Sequence, residues 1–349
     1  MNIEKAINDN NGYIADRLNT LLSTDALKYI EQIAQKAKQI TRQRFGNTIQ
    51  LYAPLYVSNY CVNHCPYCAF NCKSKLPRTR LTIDQAVKEA DLLASEGFRH
   101  ILLVSGEDKK FIDVAYLAQL AEKLRDKFSS ISIEIYPLAR EEYKILFDAG
   151  IDSIAIYQET YDRSDFAKFH TKGPKSDYDW RFETLSRAAE AGFRSLGLGF
   201  LIGLSDWQKQ SVMLAEHANM LMKKYWQSKI SFSFPRMRPA ENVDKNLFKY
   251  MISDIQLAQM MFALRLCFPD SEIVISTREL PSFRDNMAGI CVNRMSAGSK
   301  TNPGGYGQED ESLSQFEVAD ERTPAEISEM LKSKNLEPVW KDWDKAFIK

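Results

Sequence analysis

Cysteine spacing is the feature of this sequence that points most directly to chemistry. Four of the six cysteines lie within twelve residues, at Cys61, Cys65, Cys68 and Cys72. The first three follow the spacing C-x3-C-x2-C, and thiolates this close together can hold one iron–sulfur cluster. Three ligands would leave one iron of a four-iron cluster without a protein ligand, so that this iron could bind a small chelating molecule.

Zinc is the alternative metal for these cysteines. A structural zinc site takes four ligands, usually as two pairs that lie well apart in the sequence. His64 or Cys72 could supply the fourth ligand. We expect neither to bind an iron–sulfur cluster, because Cys72 lies outside the spacing of the other three and His64 lies in a polar loop.

Composition and charge exclude several classes of protein. The chain has 349 residues, and its 46 Lys and Arg balance its 46 Asp and Glu, so the formal net charge is zero. A balanced charge gives no bulk attraction to nucleic acid or anionic lipid. No apolar run approaches the roughly 18–20 residues that span a bilayer, and residues 1–11 are too polar for a secretory signal. We therefore expect a cytoplasmic protein, in which bunched cysteines are metal ligands or redox groups rather than disulfides.

Alternating strands and helices must position the cysteine loop. After a helical N-terminal region, about eight apolar strand-like runs follow, at 51–57, 100–104, 131–136, 153–157, 195–200, 229–233, 272–277 and 291–296. This alternation predicts an α/β fold, a (β/α)8 TIM-type barrel that is closed or partly open. A doubly wound open sheet is the alternative, although no G-x-G-x-x-G follows the first strand. We predict an N-terminal helical extension over 1–48, the barrel over 49–300 and a C-terminal extension closing it over 301–349.

Local signals support this order of elements. Residues 82–95 have one apolar helical face, and Thr82 with Gln85 predicts a capping box. Gly97, Gly150 and Gly192 each precede a strand and should end a helix in the left-handed conformation. In a barrel, chemistry lies at the C-terminal ends of the strands. We therefore expect the polar residues after each strand to face one mouth.

The cysteine motif, with Tyr67 directly before its last cysteine, resembles the signature of the radical S-adenosylmethionine (SAM) enzymes. The resemblance implies that Cys61, Cys65 and Cys68 hold a 4Fe–4S cluster whose fourth iron is chelated by the amino and carboxylate groups of SAM. It also implies that reductive cleavage of SAM yields a 5′-deoxyadenosyl radical, and that Tyr67 lies near the adenine.

Further SAM contacts are implied by the same resemblance. The family has a glycine-glycine-glutamate element that holds the methionine amino group. Ser105, Gly106 and Glu107 match this element, with serine in place of the first glycine. Glu159 and Arg181 match the family's acidic and basic SAM contacts, and an arginine fork suits a carboxylate. Alternatively, Arg181 forms a helical surface ion pair with Asp177 or Glu183.

Within this superfamily the chain resembles the tyrosine lyases of thiamine biosynthesis, the 2-iminoacetate synthases. The segments that carry the resemblance are 56–61, 103–107, 157–161, 232–239, 276–279, 296–301 and 340–343. The resemblance implies cleavage of the Cα–Cβ bond of L-tyrosine to 2-iminoacetate (dehydroglycine) and p-cresol. It also implies that Arg278 holds the substrate carboxylate and that Ser296 adds a hydrogen bond, whereas Arg236 and Arg238 either flank the mouth or are structural.

Several alternatives and partners accompany this hypothesis. The implied partners are a thiazole synthase that receives the imine and a reductant such as flavodoxin or ferredoxin. A tryptophan lyase is one alternative of the same group. The tyrosine-cleaving hydrogenase maturase is another, but it carries a C-terminal domain with its own cysteine cluster, and no cysteine follows Cys291 here. A non-catalytic module whose cysteines bind zinc or carry electrons is the alternative of a different class.

Overall fold

The chain folds around one parallel sheet. The computed structural model describes residues 1–9, 12–237, 243, 245–307 and 314–341. The strands in this part of the chain are β1 (Thr48–Ser58), β2 (His100–Ser105), β3 (Ser130–Glu134), β4 (Ser153–Ala155), β5 (Ser195–Gly199), β6 (Lys229–Ser233), β7 (Glu272–Ile275), β8 (Arg294–Ser296) and β9 (Glu337–Val339).

The first eight strands close into a barrel. Each strand from β2 to β7 pairs with the next, and β1 pairs with β8 through residues 50–52 and with β2 through residues 53–58. The predicted (β/α)8 barrel is therefore confirmed, and it is closed rather than partly open. The ninth strand, which the sequence did not predict, pairs with residues 48–50 of β1; it is only three residues long and contains Pro338, so its pattern is weak.

Helices surround the barrel. Those in the described part of the chain are α1 (Ile3–Asn8), α2 (Ile14–Leu22), α3 (Ile30–Phe45), α4 (Ile83–Ser95), α5 (Val114–Leu124), α6 (Arg140–Ala149), α7 (Arg163–Phe169), α8 (Tyr178–Phe182), α9 (Thr184–Glu190), α10 (Trp207–Lys224), α11 (Asp254–Cys267), α12 (Pro281–Met287) and α13 (Pro324–Ser333). The predicted capping box begins α4, and Gly97, Gly150 and Gly192 have φ of 105°, 110° and 105°. No helix in the described residues is both long and apolar enough to cross a bilayer.

Helices of the N-terminal region, α2 and α3, lie against α10 and α11 on the outside of the barrel. The predicted limits of this region and of the C-terminal extension stay predictions. The tail motif is described only in part: Trp340 packs edge-on against Phe98 with ring centroids 5.1 Å apart. Trp343 lies outside the described residues.

Charged side chains fill the barrel interior near the N-terminal ends of its strands. Arg294 on β8 donates to Glu272 on β7 at 3.0 Å, and Lys229 on β6 donates to the same carboxylate at 2.7 Å. The Arg294 guanidinium also contacts His100 on β2, which is separated from β8 in the sheet by β1 alone. Because these charged groups pair with one another, their burial is tolerated.

A buried ion pair connects the C-terminal segment to the strand ends. Arg284 and Asp320 have fully buried side chains and form a salt bridge, and Arg284 also donates to the carbonyl oxygen of Ser296. The backbone N–H groups of Ala319 and Asp320 donate to the carbonyl oxygen of Thr277 at 2.9 and 3.1 Å. The segment therefore fixes the C-terminal ends of β7 and β8.

Replacing Asp320 by alanine is expected to destabilise the protein by about 3–5 kcal/mol, because it leaves the buried Arg284 guanidinium without its carboxylate. The exposed neighbour Glu321 provides the matched control, since Glu321→Ala should change the unfolding free energy by less than about 0.5 kcal/mol. Urea unfolding of both variants measures the difference. Equal midpoints would contradict the role given to this ion pair.

The same carboxylate should make stability depend on pH. Burial alone would raise the pKa of Asp320, but hydrogen bonds from Arg322 and the charge of Arg284 hold it below its usual value. A carboxylate with a lowered pKa stabilises the fold above its unfolded-state pKa and loses that contribution as the pH falls through the folded-state value. The stability difference between wild type and Asp320→Ala should therefore shrink in acid.

Candidate active site

One cavity opens at the C-terminal ends of the barrel strands, and every barrel strand or the loop after it contributes to its lining. Its walls combine polar and apolar side chains, as in most ligand-binding pockets. All the site residues predicted from the sequence line it: Cys61, Cys65, Tyr67, Cys68, Ser105, Gly106, Glu107, Glu159, Arg181, Arg278 and Ser296.

The loop after β1 carries the three cysteines into the cavity. Cys65 is buried, Cys61 and Cys68 are partly buried, and all three are free thiols. Burial raises the pKa of the Cys61 thiol to about 11 and raises the pKa of the other two. The Gln315 side-chain amide approaches the Cys68 sulfur at 3.7 Å. Such hydrogen bonds to sulfur tune a cluster.

Donor chemistry separates the two metal hypotheses. Among the described residues, no three Cys, His, Asp or Glu side chains converge closely enough to hold a single metal ion. Cys61, Cys65 and Cys68 line one cavity, and three thiols suit a polynuclear cluster, in which each sulfur binds a different iron. The exposed Cys72 and the partly buried His64, whose Nδ1 lies 2.9 Å from the Thr171 hydroxyl, do not line the cavity.

Ser105 and Gly106 bring the end of β2 against the cysteine loop. A Cβ at Gly106 would lie 2.2 Å from the Tyr60 carbonyl oxygen, so only glycine permits this close approach. The Gly106 N–H donates to the Ser58 carbonyl oxygen at 2.9 Å. The Ser105 hydroxyl is buried at the cavity wall without a hydrogen-bond partner in the described part of the chain. Such an orphaned group at a cavity wall fits a site for a polar ligand.

Two carboxylates and two cations form a buried network beside the cysteines. Arg181 donates to Glu107 at 2.9 Å and Lys175 donates to Glu159 at 2.7 Å. Asn63, in the cysteine loop, donates to the second Glu107 oxygen at 2.7 Å. The charges balance within the network, as buried ionic groups require. Arg181 is therefore a buried cavity residue and not part of a surface ion pair with Asp177 or Glu183.

Backbone strain accompanies this network. Glu159 has φ of 67°, in the left-handed region that non-glycine residues rarely adopt. Its carbonyl oxygen accepts from the Leu201 N–H at 2.9 Å, which holds the residue against the segment that follows β5. Burial and the Arg181 charge would lower the pKa of Lys175, but Glu159, Cys65 and Glu107 raise it above its usual value. Lys175 thus stays charged.

Tyr67 is fixed by a buried histidine. The Nδ1 of His170 lies 2.9 Å from the Phe166 carbonyl oxygen, which can only accept, so this nitrogen carries the hydrogen. The Nε2 of His170 then accepts from the Tyr67 hydroxyl at 2.7 Å. Burial lowers the pKa of His170 to about 2, so the ring stays neutral. The Lys175 ammonium lies 5.8 Å from the centre of the Tyr67 ring.

A second group of polar residues lies at the ends of β7 and β8. The Arg278 guanidinium stacks on Phe316, 3.3 Å from the ring centroid. Ser296 lines the cavity while its oxygen accepts from the Thr277 N–H at 3.0 Å. Ser299 also lines the cavity, and its buried hydroxyl has no partner among the described residues. This part of the cavity therefore offers one guanidinium and two hydroxyls.

Sequence reasoning missed several cavity residues. Lys175 lies on a short turn well after the end of β4 in the sequence, and Asn63 lies between Cys61 and Cys65, where the spacing predicts cysteine ligands alone. Glu134 ends β3, but the predicted strand ran on to 136 and hid it. Burial and nearby Glu159 raise the pKa of Glu134 to about 7.

Two arginines, Arg236 and Arg238, follow β6 in the sequence, where they were predicted either to flank the mouth or to be structural. Arg236 donates to Asp254 at 2.7 Å and to both oxygens of Glu279, and it does not line the cavity. Its contacts are those of a structural residue. Arg238 lies outside the described residues.

Comparisons with known proteins agree with this geometry. The family model for the Radical SAM superfamily matches residues 55–215, and that for the Biotin and Thiamin Synthesis associated domain matches residues 233–337. The chain is 43% identical over 343 residues to 2-iminoacetate synthase of Escherichia coli (strain K12), which covers 98% of this chain and 90% of the relative. The FeFe-hydrogenase maturase HydG from Carboxydothermus hydrogenoformans superposes with a TM-score of 0.89 at 32% identity, covering 97% of this chain and 78% of that one.

A third similarity concerns the fold alone. Methylornithine synthase (PylB) has a TM-score of 0.75 at 22% identity and covers 97% of both chains. A closed parallel barrel with three thiols on the loop after its first strand, matched by the superfamily model, defines a radical SAM enzyme. Within that class, the chain belongs to the family of the 2-iminoacetate synthases.

Proposed function

We propose that this protein is a tyrosine lyase, which cleaves the Cα–Cβ bond of L-tyrosine to 2-iminoacetate and p-cresol for the thiazole of thiamine. The observation that carries the proposal is the 43% identity to 2-iminoacetate synthase over 98% of the chain. The cavity supports it, because it combines a place for a cluster, polar groups for SAM and a further guanidinium that suits the carboxylate of an amino acid.

The residues around the cysteines would hold the cofactors. Cys61, Cys65 and Cys68 would bind three irons of a 4Fe–4S cluster, and the polar wall next to them would contact SAM through Tyr67, Ser105, Gly106, Glu107, Glu159 and Arg181. When bound, the cluster and SAM supply a hydrogen-abstracting radical. The unpartnered Ser105 hydroxyl and the glycine beside it support this placement.

Residues at the ends of β7 and β8 would hold the substrate. Arg278 would bind the tyrosine carboxylate through its fork, and Ser296 would add a hydrogen bond. The stack on Phe316 restricts the guanidinium before substrate binds, which reduces the entropy lost on binding. The cavity lies at the C-terminal end of a closed barrel, where bound substrate would exclude water from the reacting atoms.

The product and the electron supply imply partners in the cytoplasm. An imine hydrolyses readily, so a thiazole synthase that takes it directly is the proposed recipient, and flavodoxin or ferredoxin is the proposed reductant. Free cysteines in the described part of the chain accord with a reducing compartment. The formal net charge of zero gives no bulk attraction to nucleic acid or to a membrane surface, so we propose neither as a partner.

Product analysis tests the proposal. The anaerobic protein, with reconstituted cluster, is incubated with SAM, dithionite and either tyrosine or tryptophan. We expect 5′-deoxyadenosine together with p-cresol from tyrosine, and no cleavage of tryptophan. Release of an indole derivative would instead favour a tryptophan lyase, and colourless protein with one bound zinc would favour a non-catalytic module.

A further inference from the structure

Glu134 is the charged cavity residue to which none of the functions above gives a role. It ends β3 and lines the cavity. The other two cavity glutamates are occupied, since Glu107 pairs with Arg181 and Glu159 pairs with Lys175. Among the described residues, Glu134 has no ion-pair partner. A carboxylate that is placed in a cavity without a cation is suited to a cationic ligand.

Arg278 is the complementary group. Its guanidinium contacts Phe316 but has no carboxylate within ion-pair distance in the described part of the chain. Glu134 and Arg278 line the same cavity, from the ends of β3 and β7. They form no salt bridge with each other. Each can therefore bind a group of opposite charge on a ligand in the cavity.

An α-amino acid matches this arrangement, since its ammonium and carboxylate are attached to one carbon. We propose that Glu134 binds the substrate's α-ammonium group while Arg278 binds its carboxylate, and that Glu134 accepts one ammonium proton. This inference rests on the proposed function. In the proton transfer, one N–H bond breaks and its electron pair stays on nitrogen, the carboxylate becomes a carboxylic acid, and the substrate becomes a neutral amine.

From the neutral amine, loss of a hydrogen atom leaves a neutral nitrogen-centred radical, whereas from the ammonium it would leave a less stable radical cation. Burial raises the pKa of Glu134 to about 7, which places it where a carboxylate can exchange a proton with the substrate near neutral pH. The charged and titratable groups that face it from the surrounding elements are Glu159, Arg278, Lys175, Arg181, Tyr52, Tyr56 and Tyr157. Burial raises the pKa of each of these tyrosines, so they stay neutral near pH 7.

Three ligands separate an ammonium contact from a general structural effect. Anaerobic holoenzyme with SAM but no reductant is titrated with tyrosine, with tyramine, which lacks the carboxylate, and with 3-(4-hydroxyphenyl)propanoate, which lacks the amine. Glu134→Gln should weaken tyrosine and tyramine binding about 10- to 100-fold, as expected for loss of a charge-assisted hydrogen bond. Binding of the propanoate should be unchanged or stronger. Glu122→Gln, on the exposed face of α5, is the matched control and should alter none of the three.

The wild-type protein gives a second test that does not depend on a variant folding. Tyrosine affinity should fall as the pH drops below about 7, where Glu134 becomes protonated, whereas affinity for the propanoate should not fall. Equal weakening of all three ligands by Glu134→Gln, no weakening, or parallel pH profiles for tyrosine and the propanoate would overturn the assignment. If wild type forms p-cresol but the binding experiments give one of these contrary outcomes, only the role of Glu134 is wrong. If wild type forms no p-cresol, the proposed function is wrong, and the role of Glu134 with it.

Discussion

Replacing Cys65 by alanine is expected to abolish both the iron–sulfur cluster and all cleavage of SAM. The cluster would depend on three sulfurs that reach one cavity, and removing one leaves two irons without protein ligands. Iron and sulfide content, visible absorption and 5′-deoxyadenosine formation after anaerobic reconstitution measure the effect. We expect 5′-deoxyadenosine to fall below detection.

Cys72 supplies the matched control for this prediction. It lies in the same loop, but it is exposed and does not line the cavity. Cys72→Ala should therefore keep wild-type iron content and wild-type SAM cleavage. Full cluster content in Cys65→Ala, or equal loss in both variants, would show that the ligands have been misidentified.

Replacing Arg278 by alanine is expected to leave the cluster and SAM binding intact but to weaken tyrosine binding about 10- to 100-fold. A hydrogen-bonded contact to a charged group contributes about 1.5–3 kcal/mol. Arg278 is not part of the network that joins Glu107, Glu159, Lys175 and Arg181. Its loss should therefore act on the substrate alone, which titration of the anaerobic holoenzyme measures.

Tyramine provides the control for Arg278→Ala, because it has no carboxylate and should bind wild type and variant alike. Arg278→Lys keeps the charge but loses the planar fork, so its tyrosine affinity should lie between the other two. If Arg278→Ala binds tyrosine with wild-type affinity, or loses tyramine to the same extent, the carboxylate is held elsewhere in the cavity.

Local patterns predicted the barrel well. Apolar runs and helix-ending glycines located all eight barrel strands within a few residues, because buried parallel strands need continuous apolar sequence. The strand β9 was not predicted, since a strand of three residues has almost no hydrophobic pattern in the sequence. Closure was also beyond the sequence, because it depends on the pairing of β1 with both β2 and β8.

Site residues that belong to a spaced motif or follow a strand were predictable from the sequence. Site residues that only the folded chain brings to the cavity were not. The cysteines and the residues after strands could be found because a motif or a strand end marks them. Lys175 could not, since only the fold brings its turn against Glu159. Glu134 has the opposite difficulty: its position was within a predicted strand, but its exposure to the cavity follows from where β3 ends.

The central claim is that three cysteines leave one iron open and that SAM binds there. Electron–nuclear double resonance on the reduced, anaerobic protein with SAM labelled with ¹⁵N and ¹⁷O in its methionine amino and carboxylate groups tests it most directly. We predict hyperfine coupling from both labels to the cluster. Absence of that coupling, with spectra showing all four irons bound by protein side chains, would contradict the account.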